Sequence, residues 1–202
     1  AGAVARAARE GSGLPVTVKL RSGQRQGETD GYDLAHRLVH DAGVSAIAFH
    51  PRSAAVHHKG TPDYDLAARL VEELPVPVIV TGGMDGADHV RWVFEYTGCE
   101  AVMLARGSLG NPWLFEQVLG AREDGPSVHE VLEEWGWVLD CAEEHLGPER
   151  AARYLRKFHP WYAGRLDAPH AVQDALQRAP TLDEQRLLIA EFGATMLGRA
   201  AV

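Results

Sequence analysis

The chain has 202 residues, 46% hydrophobic and 24% charged, ordinary for one globular domain or one domain with an appendage. No apolar run approaches the ~18 residues of a membrane-spanning helix, and the opening AGAVARAARE lacks a signal-peptide layout, resembling the tail of an amphipathic helix. The net charge of −8 argues against a general nucleic-acid binder, but it is uneven: residues 1–147 carry 12 basic and 22 acidic side chains, residues 148–202 carry 8 and 6.

A chain that opens inside a helix is expected to be a fragment of something longer. Two cysteines without CxxC spacing, Cys99 and Cys141, fit a reduced cytoplasmic compartment. Residues 14–20 form the first expected strand. The segment 30–43 has a helical apolar face closed by Gly43, and 44–50 is the next strand. A helix over 61–74 is expected to start on Thr61 as cap and Pro62. A strand over 76–83, a helix over 85–98 capped by Asp85, and a strand over 101–107 complete the series. Strands apolar throughout and spaced by helices indicate a covered parallel sheet. Four such units are either half of a (β/α)8 barrel, which takes about 250 residues when complete, or a small open doubly wound sheet.

Beyond Gly125-Pro126 the pattern is helical. SVHE (127–130) is a capping box opening a long helix, and Thr181–Glu184 is a second. The chain thus divides into an α/β part, 1–122, and an all-α helical-bundle domain, 123–202.

Ligands of parallel β/α folds sit outside the carboxyl ends of the strands. Those ends are Lys19, His50 with Arg52 close behind, Thr81-Gly82-Gly83, and Ala105-Arg106-Gly107. Taken singly, each has a plain structural explanation; together they make one basic rim. Glycines let backbone amides approach an anion, and an arginine adds a bidentate fork. The rim therefore suits a mononucleotide phosphate, with Lys19 and His50 farther toward a ring system. The adjacent His57 and His58 point apart, and no zinc spacing, Walker loop, GxSxG or GxGxxG occurs. Cys99, just before the fourth strand, lies at the end opposite the rim and is assigned a structural role, as is Cys141.

PVTVKLRSG, AIAFHPRSAAVHHKG, PVIVTGGM and AVMLARGSLGNPWLFEQ, in this order, resemble the tRNA-dihydrouridine synthases. The resemblance covers nearly the whole chain. It implies an FMN-dependent enzyme that uses NAD(P)H to reduce uridine in tRNA, with a TIM barrel followed by a helical tRNA-binding domain. This chain would then be the second half of the (β/α)8 TIM barrel, about four parallel strands, plus that domain. Lys19 would contact the flavin ring, and His50 with Arg52 would line the flavin and substrate pocket. Thr81, Gly82, Gly83, Ala105, Arg106 and Gly107 would hold the flavin and its phosphate. Thr81-Gly82-Gly83 departs from the family's Asn-Gly-Asp or Asn-Gly-Glu, so contacts there would rest on backbone amides, and Ala105 replaces a glycine. The family's catalytic cysteine, in a Gly-Cys-Pro context, has no counterpart here and is expected upstream of Ala1; Cys99, followed by Glu100, does not replace it.

From Arg150 to Leu166 there are five basic residues and no acidic one, and Phe158, His159, Trp161 and Tyr162 follow directly on Lys157. By composition this is either a solvated basic face with an aromatic anchor or an RNA contact. The resemblance implies tRNA, with Arg150, Arg153, Arg156, Lys157 and Trp161 as contacts. The alternatives are another FMN barrel reductase acting on a small molecule, or an inactive RNA-binding remnant. The expected protein is cytoplasmic and monomeric, without membrane or metal. The isolated 202-residue chain is expected to bind FMN weakly and to lack synthase activity. Flavin absorbance co-purifying with it at near-unit stoichiometry would contradict this.

Overall fold

The structure, a computed structural model, describes residues 1–57 and 59–200. His58 therefore lies outside the described residues. The chain forms two compact units, Ala1–Gly107 and Ser108–Val202. This division falls ahead of the 122/123 boundary expected from sequence. Gly110 explains part of the difference: a Cβ on it would press on the Trp161–Tyr162 backbone, and its carbonyl accepts from Arg165 Nε at 2.8 Å.

In the first unit α1 (Gly2–Ser12) is followed by β1 (Thr17–Arg21), α2 (Asp30–Ala42), β2 (Ala46–His50), α3 (Tyr64–Glu73), β3 (Val78–Thr81), α4 (Ala87–Thr97) and β4 (Ala101–Met103). The four strands are parallel in the order β1-β2-β3-β4. A doubly wound sheet reverses its strand order at a switch point. This sheet never does, and the winding is that of a partial (β/α)8 barrel followed by a helical region.

Register assigns the two faces. Val18, Leu20, Ile47, Phe49, Val78, Val80 and Val102 share one face. Ile47, Phe49 and Val80 are fully buried there, each contributing ~1.5–3 kcal/mol. Thr17, Lys19, Arg21, Ala46, Ala48, His50, Ile79, Thr81, Ala101 and Met103 share the other. One face is thus wholly apolar and the other carries every polar side chain of the sheet.

Several local expectations are corrected. The helix expected over 61–74 starts at Tyr64, because the Asp63 carboxylate accepts the Leu66 N–H at 2.9 Å and displaces Thr61-Pro62 as the start. Gly86 rather than Asp85 occupies the N-cap of α4. The fourth strand stops at Met103, and Arg106–Ser108 form a 3-10 turn. The short helix α5 (Leu114–Val118) follows Trp113.

Beyond β4 the described residues are helical: α5, α6 (Val128–Leu146), α7 (Pro148–Leu155), α8 (His159–Arg165), α9 (His170–Arg178) and α10 (Leu182–Ala200). The Ser127–Glu130 capping box is formed in both directions. The Thr181 hydroxyl accepts the Glu184 N–H at 3.2 Å. Val131, Trp135 and Leu139, one stripe of α6, pack with Ala151, Ala152, Leu155, Leu176 and Phe192. At the centre, Trp135 stacks on Tyr162 with centroids 5.6 Å apart and donates Nε1–H to His159 Nδ1 at 3.1 Å.

An Nδ1 that accepts belongs to a neutral imidazole. Burial, with the nearby Arg156 charge, lowers the His159 pKa from its ordinary 6.5 despite the opposing influence of Gln185. Folded His159 therefore binds its proton less readily than unfolded. This contribution is complete above about pH 6.5 and is lost as pH falls below it, with a slope of at most ~1.4 kcal/mol per pH unit. Thermal unfolding between pH 7.5 and 5 should show that loss, and His159→Asn should flatten it. An unchanged slope in the variant would contradict the assignment.

Candidate functional site

The polar face of the sheet ends in a row formed by Arg21 and His50, paired in register, and by Thr81 and Met103, likewise paired. Lys19 was expected at the first strand's end. It lies one row deeper, beside Ala48, because β1 runs on to Arg21. It is exposed, whereas its β2 neighbours Ala46 and Ala48 are buried. His50 is buried, at 8% exposure.

The loops after β3 and β4 meet through glycines. Gly82 has φ +103°, and a Cβ there would overlap the His50 ring. Gly83 follows with φ +82°. Gly107 lies so close to the Met84 carbonyl that a Cβ would overlap it. The side chain of Thr81 is committed elsewhere: its hydroxyl donates to the Met103 carbonyl at 2.9 Å, tying β3 to β4. Tyr64 donates to the Gly82 carbonyl at 2.8 Å, and burial pushes its phenol up to about 12 despite the Arg52 charge. Ala105 and Arg106 are exposed beside this junction. Close-packed glycine backbone with an exposed arginine beside it offers the amide and guanidinium donors that a phosphate group uses.

Arg21 was missed by reading only strand ends. Its side chain shares the face of Lys19 and His50, and its guanidinium donates to the carbonyls of Ser53 (3.0 Å) and His57 (3.2 Å). The alternation Lys19–Leu20–Arg21 was the available signal. Arg52 is buried at 7% exposure and donates Nη2–H to the Gly60 carbonyl. Burial depresses its pKa, with Arg106 and Arg21 adding repulsion and Tyr64 opposing it. Cys99 is buried at the N-terminal end of β4, away from the row at the strands' carboxyl ends.

In the helical unit Arg150, Arg153, Tyr154 and Lys157 are exposed at spacings of three and four, with Trp161 exposed on α8. Lys157 Nζ stands 3.9 Å from the Tyr154 ring centroid and 5.1 Å from that of Phe158. Arg156 faces elsewhere: it is partly buried and donates to the Ala179 carbonyl at 3.2 Å, joining the end of α7 to the end of α9. Among the described residues no group of three or more His, Cys, Asp or Glu could hold a metal, and no helix is long and apolar enough to cross a membrane.

Comparison with known proteins identifies the scaffold. Residues 1–196 match the family model described as dihydrouridine synthase. A probable tRNA-dihydrouridine synthase of Mycobacterium tuberculosis is 32% identical over 198 residues, covering 94% of this chain and 50% of that protein. The tRNA-dihydrouridine synthase B of Shewanella oneidensis is 31% identical, covering 76% of this chain and 49% of that protein. That of Vibrio cholerae is 30% identical, covering 85% and 55%. The chain spans about half the length of these curated relatives. With the matched residues running from the first helix into α10, the chain belongs to the dihydrouridine synthase family.

Proposed function

We propose that the protein carrying this chain reduces uridine in tRNA to 5,6-dihydrouridine, with FMN as cofactor and NAD(P)H as reductant. The observation that carries the cofactor assignment is the glycine junction, where Gly82 closes on His50 and Gly107 on the Met84 carbonyl beside Arg106. Family membership supports the tRNA assignment over a small-molecule reductase.

Backbone amides around Gly82, Gly83 and Gly107, with the Arg106 guanidinium, would hold the FMN phosphate. Reduced FMN, when bound, supplies the hydride for the uracil ring. Lys19 would stand at the flavin ring, where a fixed positive charge favours an anionic form. His50, held by contact with Gly82, would line the flavin pocket, and Arg52 the substrate side. Cys99, buried at the far end of β4, is not placed to protonate a substrate at this rim. By the family resemblance the ring's proton donor would be a cysteine in a Gly-Cys-Pro context, a motif that residues 1–202 do not contain. Arg150, Arg153, Lys157 and Trp161 would contact the tRNA backbone and bases, and Arg156 has the lesser part because its guanidinium is engaged.

The complete protein, given FMN, NAD(P)H and tRNA lacking modification, should yield nucleosides heavier by two hydrogens at a uridine; their absence would overturn the reading. Arg150→Glu with Arg153→Glu should weaken tRNA affinity about tenfold or more and flatten its salt dependence. Unchanged affinity and salt slope would remove these residues from the interface.

A further inference from the structure

Between the loop after β1 and the loop after β2 lies a cleft of about 450 Å³, lined by residues that include Ser22, Thr29, Arg52, Ser53, Lys59 and Gly60. Two of these side chains are buried without full hydrogen bonding. Arg52 is 7% exposed and Ser53 5%. Arg52 uses Nη2 on the Gly60 carbonyl, while Nε and Nη1 are enclosed and meet no acceptor; the Ser53 hydroxyl is also without a partner.

A buried guanidinium normally sits against a carboxylate, since an uncompensated buried charge costs several kcal/mol. Here no carboxylate forms an ion pair with Arg52 among the described residues. The two acids that line the same cleft are committed elsewhere. Glu28 Oε2 accepts the N–H groups of Gln24 (3.1 Å) and Arg25 (2.8 Å), and Asp63 Oδ1 accepts that of Leu66. The neighbouring charges of Arg106 and Arg21 repel the Arg52 guanidinium, and the Tyr64 phenol opposes them. The loop itself is fixed: Arg52 N–H donates to the His50 carbonyl at 2.7 Å, and Asp63 N–H to that of Pro51 at 2.8 Å. Positive charge, unused donors and a hydroxyl beside an open cleft, on a pinned loop, describe a site for a tetrahedral oxyanion.

We propose that this cleft is a phosphate subsite, separate from the glycine junction, in which the unused edge of Arg52 and the Ser53 hydroxyl bind a phosphodiester of the RNA strand next to the nucleotide being reduced. The choice of RNA as the source rests on the function proposed above; the anion chemistry does not. Binding requires no ion pair to break, because Arg52 has none. It also supplies the counter-charge that the folded chain withholds.

The test follows the Arg52 Nε–H signal of the 202-residue chain by nitrogen–proton NMR, assigned by its loss in Arg52→Lys. Inorganic phosphate should shift this signal saturably, and chloride at matched ionic strength should not. Ser53→Ala, with its amide spectrum as the check on folding, should weaken the phosphate response about fivefold, as expected for one lost hydrogen bond to a charged group. A signal that fails to move, or moves equally in chloride, overturns the subsite. A short uridine oligonucleotide should compete with phosphate at Arg52. Competition by FMN but not by the oligonucleotide would overturn RNA as the source. Dihydrouridine formation by the complete protein is scored separately. Formation with a silent Arg52 removes the subsite alone, whereas a responsive Arg52 without formation removes the proposed activity alone.

Discussion

The close approach of the turns after β3 and β4, made possible by residues without side chains, is the constraint on which the rest of the site depends. A methyl group on Gly82 would enter the His50 ring, and one on Gly107 would enter the Met84 carbonyl. The left-handed φ of Gly82 adds a backbone requirement that other residues meet only with strain. Thr81 reinforces the closure from the side by bonding across to β4. His50 is thus held against backbone, Tyr64 against the Gly82 carbonyl, and Arg106 is left exposed beside the junction.

Electrostatics gives this shape its selectivity. The chain is acidic overall, yet Lys19, Arg21, Arg52 and Arg106 belong to no ion pair among the described residues, whereas Arg69, Arg91, Arg122 and Arg186 all do. The acids are spent on helix flanks and caps. The sheet's polar face and rim are left with uncompensated positive charge, the arrangement that anionic cofactors and RNA require. The same separation recurs in the helical unit, where Arg186 pairs with Asp140 and Glu143 while Arg150, Arg153 and Lys157 are exposed and form no ion pair among the described residues.

The strand–helix alternation was legible because apolar runs and C-terminal glycines mark it, and Gly43 and Gly98 do close their helices in left-handed conformation. The glycine pair and Arg106 were legible because they follow a strand. What escaped depends on competition between neighbours. Thr61-Pro62 is a sound start signal, but Asp63 offers a better acceptor one residue on. Lys19 is the last polar side chain of the expected strand 14–20, but the alternation carries β1 on to Arg21, which takes the end position. Arg156 matches its basic neighbours in sequence, and only the fold shows its guanidinium tied to Ala179. The strand order, which separates a singly wound sheet from a doubly wound one, comes from tertiary pairing that local patterns do not encode.

FMN affinity, measured by flavin fluorescence in the complete protein and in two variants, tests the central claim most directly. Gly82→Ala disturbs the junction from within, and Arg106→Gln removes an exposed charge without touching the core. The account predicts that each variant loses affinity by about tenfold or more, equivalent to ~1.4 kcal/mol, with Arg106→Gln keeping the unfolding temperature of the parent. FMN bound equally well by all three proteins would contradict it.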